Sequence, residues 1–467
     1  MKVLQIEFNE LSPRLLTELM AAGRLPSFSR FYEGSEVFLT DAAAEPPELE
    51  PWVQWPSVHY GVPHAVHGLR HLGPLATAGG TCADGPALVP VGQALSDAGY
   101  RVGLLGPMNV RYGSVNGFYL PDPWNPDSAV QPPALLPYAR TTGAMVRDSS
   151  RTEGIAVGAG LPAFAAFLLR NGITRATLEV AVRQLLAERR DPGVRWRRAS
   201  VLDWIQYDVL RHLAARRRVD FASFFSNSTA HYQHYFWRNM EAGVFDTPPS
   251  PDDHPSYAGA VQFGYESMDR ILGRVLDDYP DAVLVLCTAL SQEPWTDATK
   301  QTYRPRDWEG LLRLAGCSTS RVDVRTVMAE EFVLTFPDAA TATAADEAFG
   351  RLTAEQRPLM KFVQDGAVLV GGCAINEAGA AQWPVEGAPD GSATVLGELF
   401  TPIHTVRSGR HSRDGALWFR TGRHVVHDEP VGLERIAPTV LGLFDVAPPP
   451  AMTGTPLPLG ARQLTSS

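Results

Sequence analysis

The stretch Val3-Leu4-Gln5-Ile6-Glu7-Phe8-Asn9-Glu10 reads as a short β-strand that runs directly into polar residues. Ser12-Pro13-Arg14-Leu15-Leu16 then opens a helix, with serine at the cap and proline in the first turn, where a missing backbone N–H costs nothing. The same order recurs downstream. Val91 to Ala98 has helical spacing, Gly99 ends it, and Arg101-Val102-Gly103-Leu104-Leu105 follows as a short buried strand. Continuous apolar runs of this kind are expected where both faces of a parallel sheet are covered. Further strands are expected at Phe221 to Phe225 and Ala282 to Cys287. Between them Val261, Tyr265, Met268, Ile271, Leu272 and Val275 mark one face of a helix from Tyr257 to Leu276. Strands alternating with helices indicate an α/β fold with a doubly wound, mainly parallel sheet. In such a fold the functional groups belong in loops beyond the strands' carboxyl ends.

Two stretches interrupt this rhythm. After a first core part at 1–131, residues 132–218 carry a Pro-rich loop and then helices rich in Leu, Ala and Arg, including Ala176 to Arg190 and Ser200 to Arg218, and are expected to form a helical cap. The core resumes at 219–301. Residues 302–400 read as a smaller α+β insertion, with strands at Glu331 to Phe336 and Ala367 to Val370 and a helix at Ala344 to Leu352. Residues 401–467 return to the core and end in a polar tail.

Composition narrows the function. Of 467 residues, 45% are hydrophobic and 20% charged, as in ordinary globular chains, and the net charge of −10 argues against a nucleic-acid binder, which needs a basic face. Arginines at Arg195, Arg197 and Arg198 and at Arg216 to Arg218 are expected on solvated helix surfaces. The longest helix-like apolar stretch, Leu161 to Leu169, falls short of the ~20 residues that cross a bilayer, so no membrane partner is expected. Cys82, Cys287, Cys317 and Cys373 form no C-x-x-C pair, which leaves no zinc ribbon or disulfide framework and points to a cytoplasmic location.

Four segments together resemble the type I phosphodiesterase and nucleotide pyrophosphatase branch of the alkaline phosphatase superfamily. The opening strand is similar to the family's, which ends in a metal-binding Asp followed by Gly; Asn9 and Glu10 stand there. Glu50-Pro51-Trp52-Val53-Gln54-Trp55-Pro56-Ser57-Val58-His59-Tyr60-Gly61, with Pro63 and His67-Gly68, resembles the nucleophile segment, and Pro51 holds the nucleophile's place. Ser228 to Trp237 looks like the D-x-x-x-H-x-x-W metal segment, with Ala230 in the Asp position and His234 retained. Leu284 to Ser291 resembles the strand ending in S-D-H-G, with Ala289 and Leu290 replacing both ligands. Gly409-Arg410-His411-Ser412, followed by Ile436 to Leu441 and Met452 to Leu457, resembles the family's last metal-binding His and its C-terminal tail. The resemblance implies an alkaline-phosphatase-like core whose nucleophile and most metal ligands are replaced.

Two-metal phosphoryl transfer relies on cations that activate the nucleophile and neutralise developing charge. Only His234 and His411 keep a usual ligand type. New carboxylates stand beside the gap, however, and Glu10, Glu50, His234 and His411 are the expected catalytic groups, with Asn9, Gln54, His59, Gln292 and Arg410 expected to bind substrate. The favoured expectation is a divergent enzyme, hydrolase or transferase, that acts on a small polar or anionic metabolite by metal-independent acid/base chemistry. No cofactor is then required. One alternative is a silent binding or scaffold relative. Another is a metal-dependent phosphoesterase or sulfatase with zinc or manganese in a shifted site of Glu10, Glu50, His234 and His411.

Overall fold

The computed structural model describes residues 1–70, 72, 87–124, 129–149, 161–326, 332–403 and 408–460. The opening stretch forms strand β1, Val3–Phe8, with all six residues buried. Its alternation divides two cores. Leu4, Ile6 and Phe8 enter one apolar cluster, while Val3 joins the other, beside Trp55 and Val58. Around it lie β2 (Glu36–Asp41), β3 (Val102–Leu105), β4 (Gly117–Leu120), β5 (Phe221–Ser226) and β6 (Val283–Cys287). β1 pairs in parallel with β5 and β6, and β3 in parallel with β4 and β5. The strand Asp414–Arg420 runs antiparallel between β2 and β6. The sheet is therefore mainly parallel, with helices on both faces, as the sequence pattern requires.

Register places the site. Phe8 pairs with Ser226 and Glu7 with Cys287, so the carboxyl ends of β1, β5 and β6 lie level. The loops beyond them bring Asn9, Glu10, Asn227 and the short strand β7 (Ser291–Pro294) to one edge. Strand Gly409–Ser412 pairs antiparallel with β7 and sets His411 opposite Gln292.

Residues 132–218 are helical, with helices at Leu136–Ser149, Leu161–Arg170, Arg175–Arg190 and Arg198–Arg217. The last of these is not part of a cap: Trp204, Tyr207, Leu210 and Leu213 pack in the same cluster as β1 and β5, which makes it a covering helix of the sheet. In the second insertion, Thr302–Pro305 and Phe400–Ile403 pair as a two-stranded stem. Beyond the stem a separate apolar cluster forms around Leu334, Phe349, Leu369 and Leu396. The expected strand from Glu331 is Phe332–Thr335, and the expected helix is Ala339–Gly350, begun by the Asp338 side chain accepting from the Thr341 amide at 2.7 Å. Glu331 and Cys82 lie outside the described residues. Cys287 and Cys317 are free thiols.

Candidate functional site

Glu10 is the centre of the site. Its φ of +60° is the left-handed conformation that suits Gly, the residue of the resembled motif at this place, and costs a side-chain-bearing residue about 1–2 kcal/mol. Several bonds hold it there. Gln233 Nε2 donates to the Glu10 carbonyl at 2.7 Å, and Gln233 Oε1 accepts from Tyr265 Oη at 2.7 Å. The Ser12 amide donates to Tyr265 Oη in turn, at 2.7 Å. On the carboxylate, Asn9 Nδ2 donates to Oε1 at 2.8 Å and Gln292 Nε2 donates to Oε2.

Two histidines converge on that carboxylate. His234, in the second turn of the Ser228–Met240 helix, places Nε2 3.0 Å from Glu10 Oε2 and directs Nδ1 at the Gly409 carbonyl at 3.1 Å. His411 places Nε2 3.6 Å from Glu10 Oε2 and Nδ1 3.3 Å from Glu50 Oε2. The imidazole rings meet edge to face with centroids 5.1 Å apart. One donor atom from each of Glu10, His234 and His411 lies within 4.8 Å of the others. His411 Nε2 is buried without a hydrogen-bond partner. Side-chain exposure rises from 3% at Glu10 to 16% at His411, 24% at His234 and 30% at Glu50, so the cluster opens to solvent on the Glu50 and His234 side.

Electrostatics follow from this packing. Burial raises the Glu10 carboxyl, but the charges of His411 and His234 and the hydrogen bond of His234 outweigh it and hold the acid well below the usual carboxylate range. Burial lowers His411, yet Glu50 and Glu10 push it up to about 9. Neighbouring His231 is pulled down to about 4 by burial and by His234, and stays neutral.

The expected binding residues divide. Asn9 and Gln292 are 2% and 1% exposed and spend their amides on Glu10, Asn227 and the Ala230 carbonyl, so they position the acid. Trp55 Nε1 completes Asn9 by donating to its Oδ1 at 2.7 Å. Arg410, one strand position before His411, points to the other face and pairs with exposed Glu293 at 2.6 Å. Gln54 is not in the cluster: it lies one turn into the Pro51–Tyr60 helix and donates to the Glu48 carbonyl at 2.8 Å. His59 is a further correction. Nine residues beyond Glu50, it sits about 13 Å down that helix, fully buried, with Nε2 3.2 Å from Glu7 and Nδ1 3.1 Å from Tyr112 Oη. Glu7 is thereby a core residue as well, at 0% exposure.

Ser57 Oγ and His67 Nε2 are 3.1 Å apart and look like a nucleophile pair. The Leu69 amide, however, donates to His67 Nδ1 at 3.1 Å, so the proton of the neutral ring is on Nε2 and points at Ser57. Burial and His64 depress His67 to about 3. The pair cannot take a proton from serine and is structural.

Sequence reading missed Gln233, Tyr265 and Trp55 as supports of the site. Gln233 adjoins His234, but nothing in the local pattern shows that its amide reaches a loop 223 positions away in sequence.

No family model matches the chain, and no curated protein matches it. Among solved structures it is similar to phosphonoacetate hydrolase from Sinorhizobium meliloti in complex with phosphonoformate, at 14% identity over 93% of this chain and 94% of that one, with a TM-score of 0.39. It is similar to murine ectonucleotide pyrophosphatase/phosphodiesterase 5 in complex with AMP, at 10% identity over 96% of each chain, with a TM-score of 0.40. A third is wild-type alkaline phosphatase PafA, at 10% identity over 97% and 98%, with a TM-score of 0.46. These three belong to the alkaline phosphatase superfamily.

Proposed function

We propose that this protein is a hydrolase of small anionic esters in which Glu10, His234 and His411 hold one divalent cation, zinc or manganese, and water attacks in place of a protein nucleophile. One observation carries the reading. The three donor atoms converge within 4.8 Å while the far nitrogen of each histidine already faces an oxygen, the Gly409 carbonyl at 3.1 Å for His234 and the Glu50 carboxylate at 3.3 Å for His411. Metal-ligating histidines are oriented by such outer partners. The buried, unpartnered His411 Nε2 fits the same role.

Two histidines and one carboxylate are enough protein ligands for a catalytic site and leave positions open. When bound, the cation would polarise an ester oxygen and acidify a water. The chain's own residues do the rest. Glu50 pairs with His411 Nδ1 at 3.3 Å and orients its ring, and Gln292 and Asn9 fix the Glu10 carboxylate. Pro51, first in its helix, offers no side chain for covalent attack. The motif resemblance supports a phosphorus or sulfur ester as substrate, and the free thiols of Cys287 and Cys317 support a reducing compartment such as the cytoplasm.

Elemental analysis and titration with zinc and manganese test the reading. One cation per chain is expected, with affinity falling at least about 100-fold in His234→Ala and His411→Ala. Absence of binding at saturating metal would sink it. A second reading rests on His411 lying between two carboxylates, Glu10 and Glu50, an acid/base array that needs no cation. Turnover of a panel of phosphate monoesters, diesters and sulfate esters by metal-stripped protein would favour that one.

A further inference from the structure

The Arg175–Arg190 helix is built inside out. Its buried residues are polar: Thr177, Gln184 and Glu188. Gln184 Nε2 donates to Glu188 Oε1 at 2.8 Å, and Glu188 pairs with Arg198. The outward residues are apolar, with Leu178 46%, Val182 52%, Leu185 56% and Leu186 47% exposed. Their spacing of i, i+4, i+7 and i+8 puts all four on one face. Arg175 and Arg189 fall on that same face, one turn beyond each end, and both are exposed. A solvent-facing helix normally shows the reverse pattern, so this face is made to be covered.

Charge identifies the cover. Residues 161–218 contain twelve arginines against five acids, although the whole chain carries −10. An anionic surface therefore attracts this part of the protein and repels the remainder, which fixes an orientation. We propose that the outer face of the Arg175–Arg190 helix docks on an anionic phospholipid surface. The helix lies in the interface plane with Leu178, Val182, Leu185 and Leu186 against the acyl boundary, while the arginine stems reach along the apolar face to the headgroups. Sixteen residues cannot cross a bilayer, and no described helix is long and apolar enough to do so. Four half-exposed side chains also fall well short of the ~800 Å² per partner that a stable dimer buries.

Co-sedimentation of the full chain with vesicles tests the proposal, using phosphatidylglycerol mixed with phosphatidylcholine against phosphatidylcholine alone. Binding to the anionic vesicles only is expected, weakened by salt and reduced about tenfold or more by Leu185→Glu. Leu185→Ser separates lost apolar contact from added charge and is expected to weaken binding as well. Thermal melting of both variants confirms that the fold is kept. The proposal is overturned if anionic vesicles retain no protein at low salt, or if both variants bind as well as the wild type. It is also overturned if sedimentation velocity shows a concentration-dependent dimer that Leu185→Glu abolishes.

Discussion

Glu10 combines a strained backbone with the central place in the proposed cation site. A carboxylate at φ +60° persists because Gln233 holds its carbonyl and Gln292, Asn9 and two histidines hold its side chain. Glu10→Gly removes the acid but suits the backbone. Relief of about 1–2 kcal/mol of strain offsets lost charged hydrogen bonds of about 1.5–3 kcal/mol. Urea denaturation is thus expected to show a change under about 2 kcal/mol, while metal titration and turnover show complete loss. Glu10→Gly protein that still binds one cation would remove Glu10 from the ligand set. Glu50→Ala removes the carboxylate on the far side of His411, and a loss of metal affinity of about 10–100-fold is expected, against at least about 100-fold for the proposed ligands themselves. Which residue types stand near the gap was legible in the sequence. That Glu10 adopts the glycine-like conformation and turns its carboxylate between both histidines was not, because φ depends on contacts from Gln233 and Tyr265 far away in the chain.

At the scale of elements, the site is an intersection of the β1 loop, the Ser228–Met240 helix, the Gly409–Ser412 strand and the start of the Pro51–Tyr60 helix. Tyr265, on the Ala260–Asp278 helix, ties two of these together through Ser12 and Gln233. Tyr265→Phe leaves the Gln233 oxygen and the Ser12 amide without that partner, at about 1–3 kcal/mol. Thermal denaturation is expected to report that loss, and turnover is expected to fall with it, since the Glu10 loop loses its brace. Unchanged turnover would show that the loop is fixed by other contacts. Helical geometry also explains why His59 parts from Glu50: one segment of sequence suggested one site, but a 10-residue helix carries its far end into the core. Strand register, by contrast, joins His411 and Gln292, which lie 119 positions apart.

For the whole molecule, the sheet stores ionisable groups at depth, and Asp203 shows the effect on stability. It lies on the covering helix Arg198–Arg217 at 3% exposure. Burial pushes its carboxyl up to about 7, only partly opposed by hydroxyls of Ser228 and Ser226 and amides of Asn227 and Ser228. With a folded value above the unfolded value of 3.8, the stabilisation from the protonated acid is fully present below the unfolded value and is lost as pH rises through about 7. Asp203→Asn is expected to remove that slope. Relative to wild type it gains on the order of 2–4 kcal/mol between pH 4 and pH 8, read from urea denaturation at each pH. Parallel stability profiles for the two proteins would show that Asp203 does not carry the effect.

The amino-acid sequence alone determined the alternation of strands and helices, the parallel sheet, the two interruptions and the candidate groups Glu10, Glu50, His234 and His411, because periodicity and residue type are local properties. Tertiary structure decided which of those groups meet. It joined Glu10, His234 and His411, set Glu50 behind His411, withdrew His59 and Gln54, and made Asn9 and Gln292 supports. It also turned one helix of the first insertion into a wall of the core and left another with its apolar face outward. Those outcomes depend on strand register, helix length and contacts across hundreds of residues, none of which a local pattern encodes.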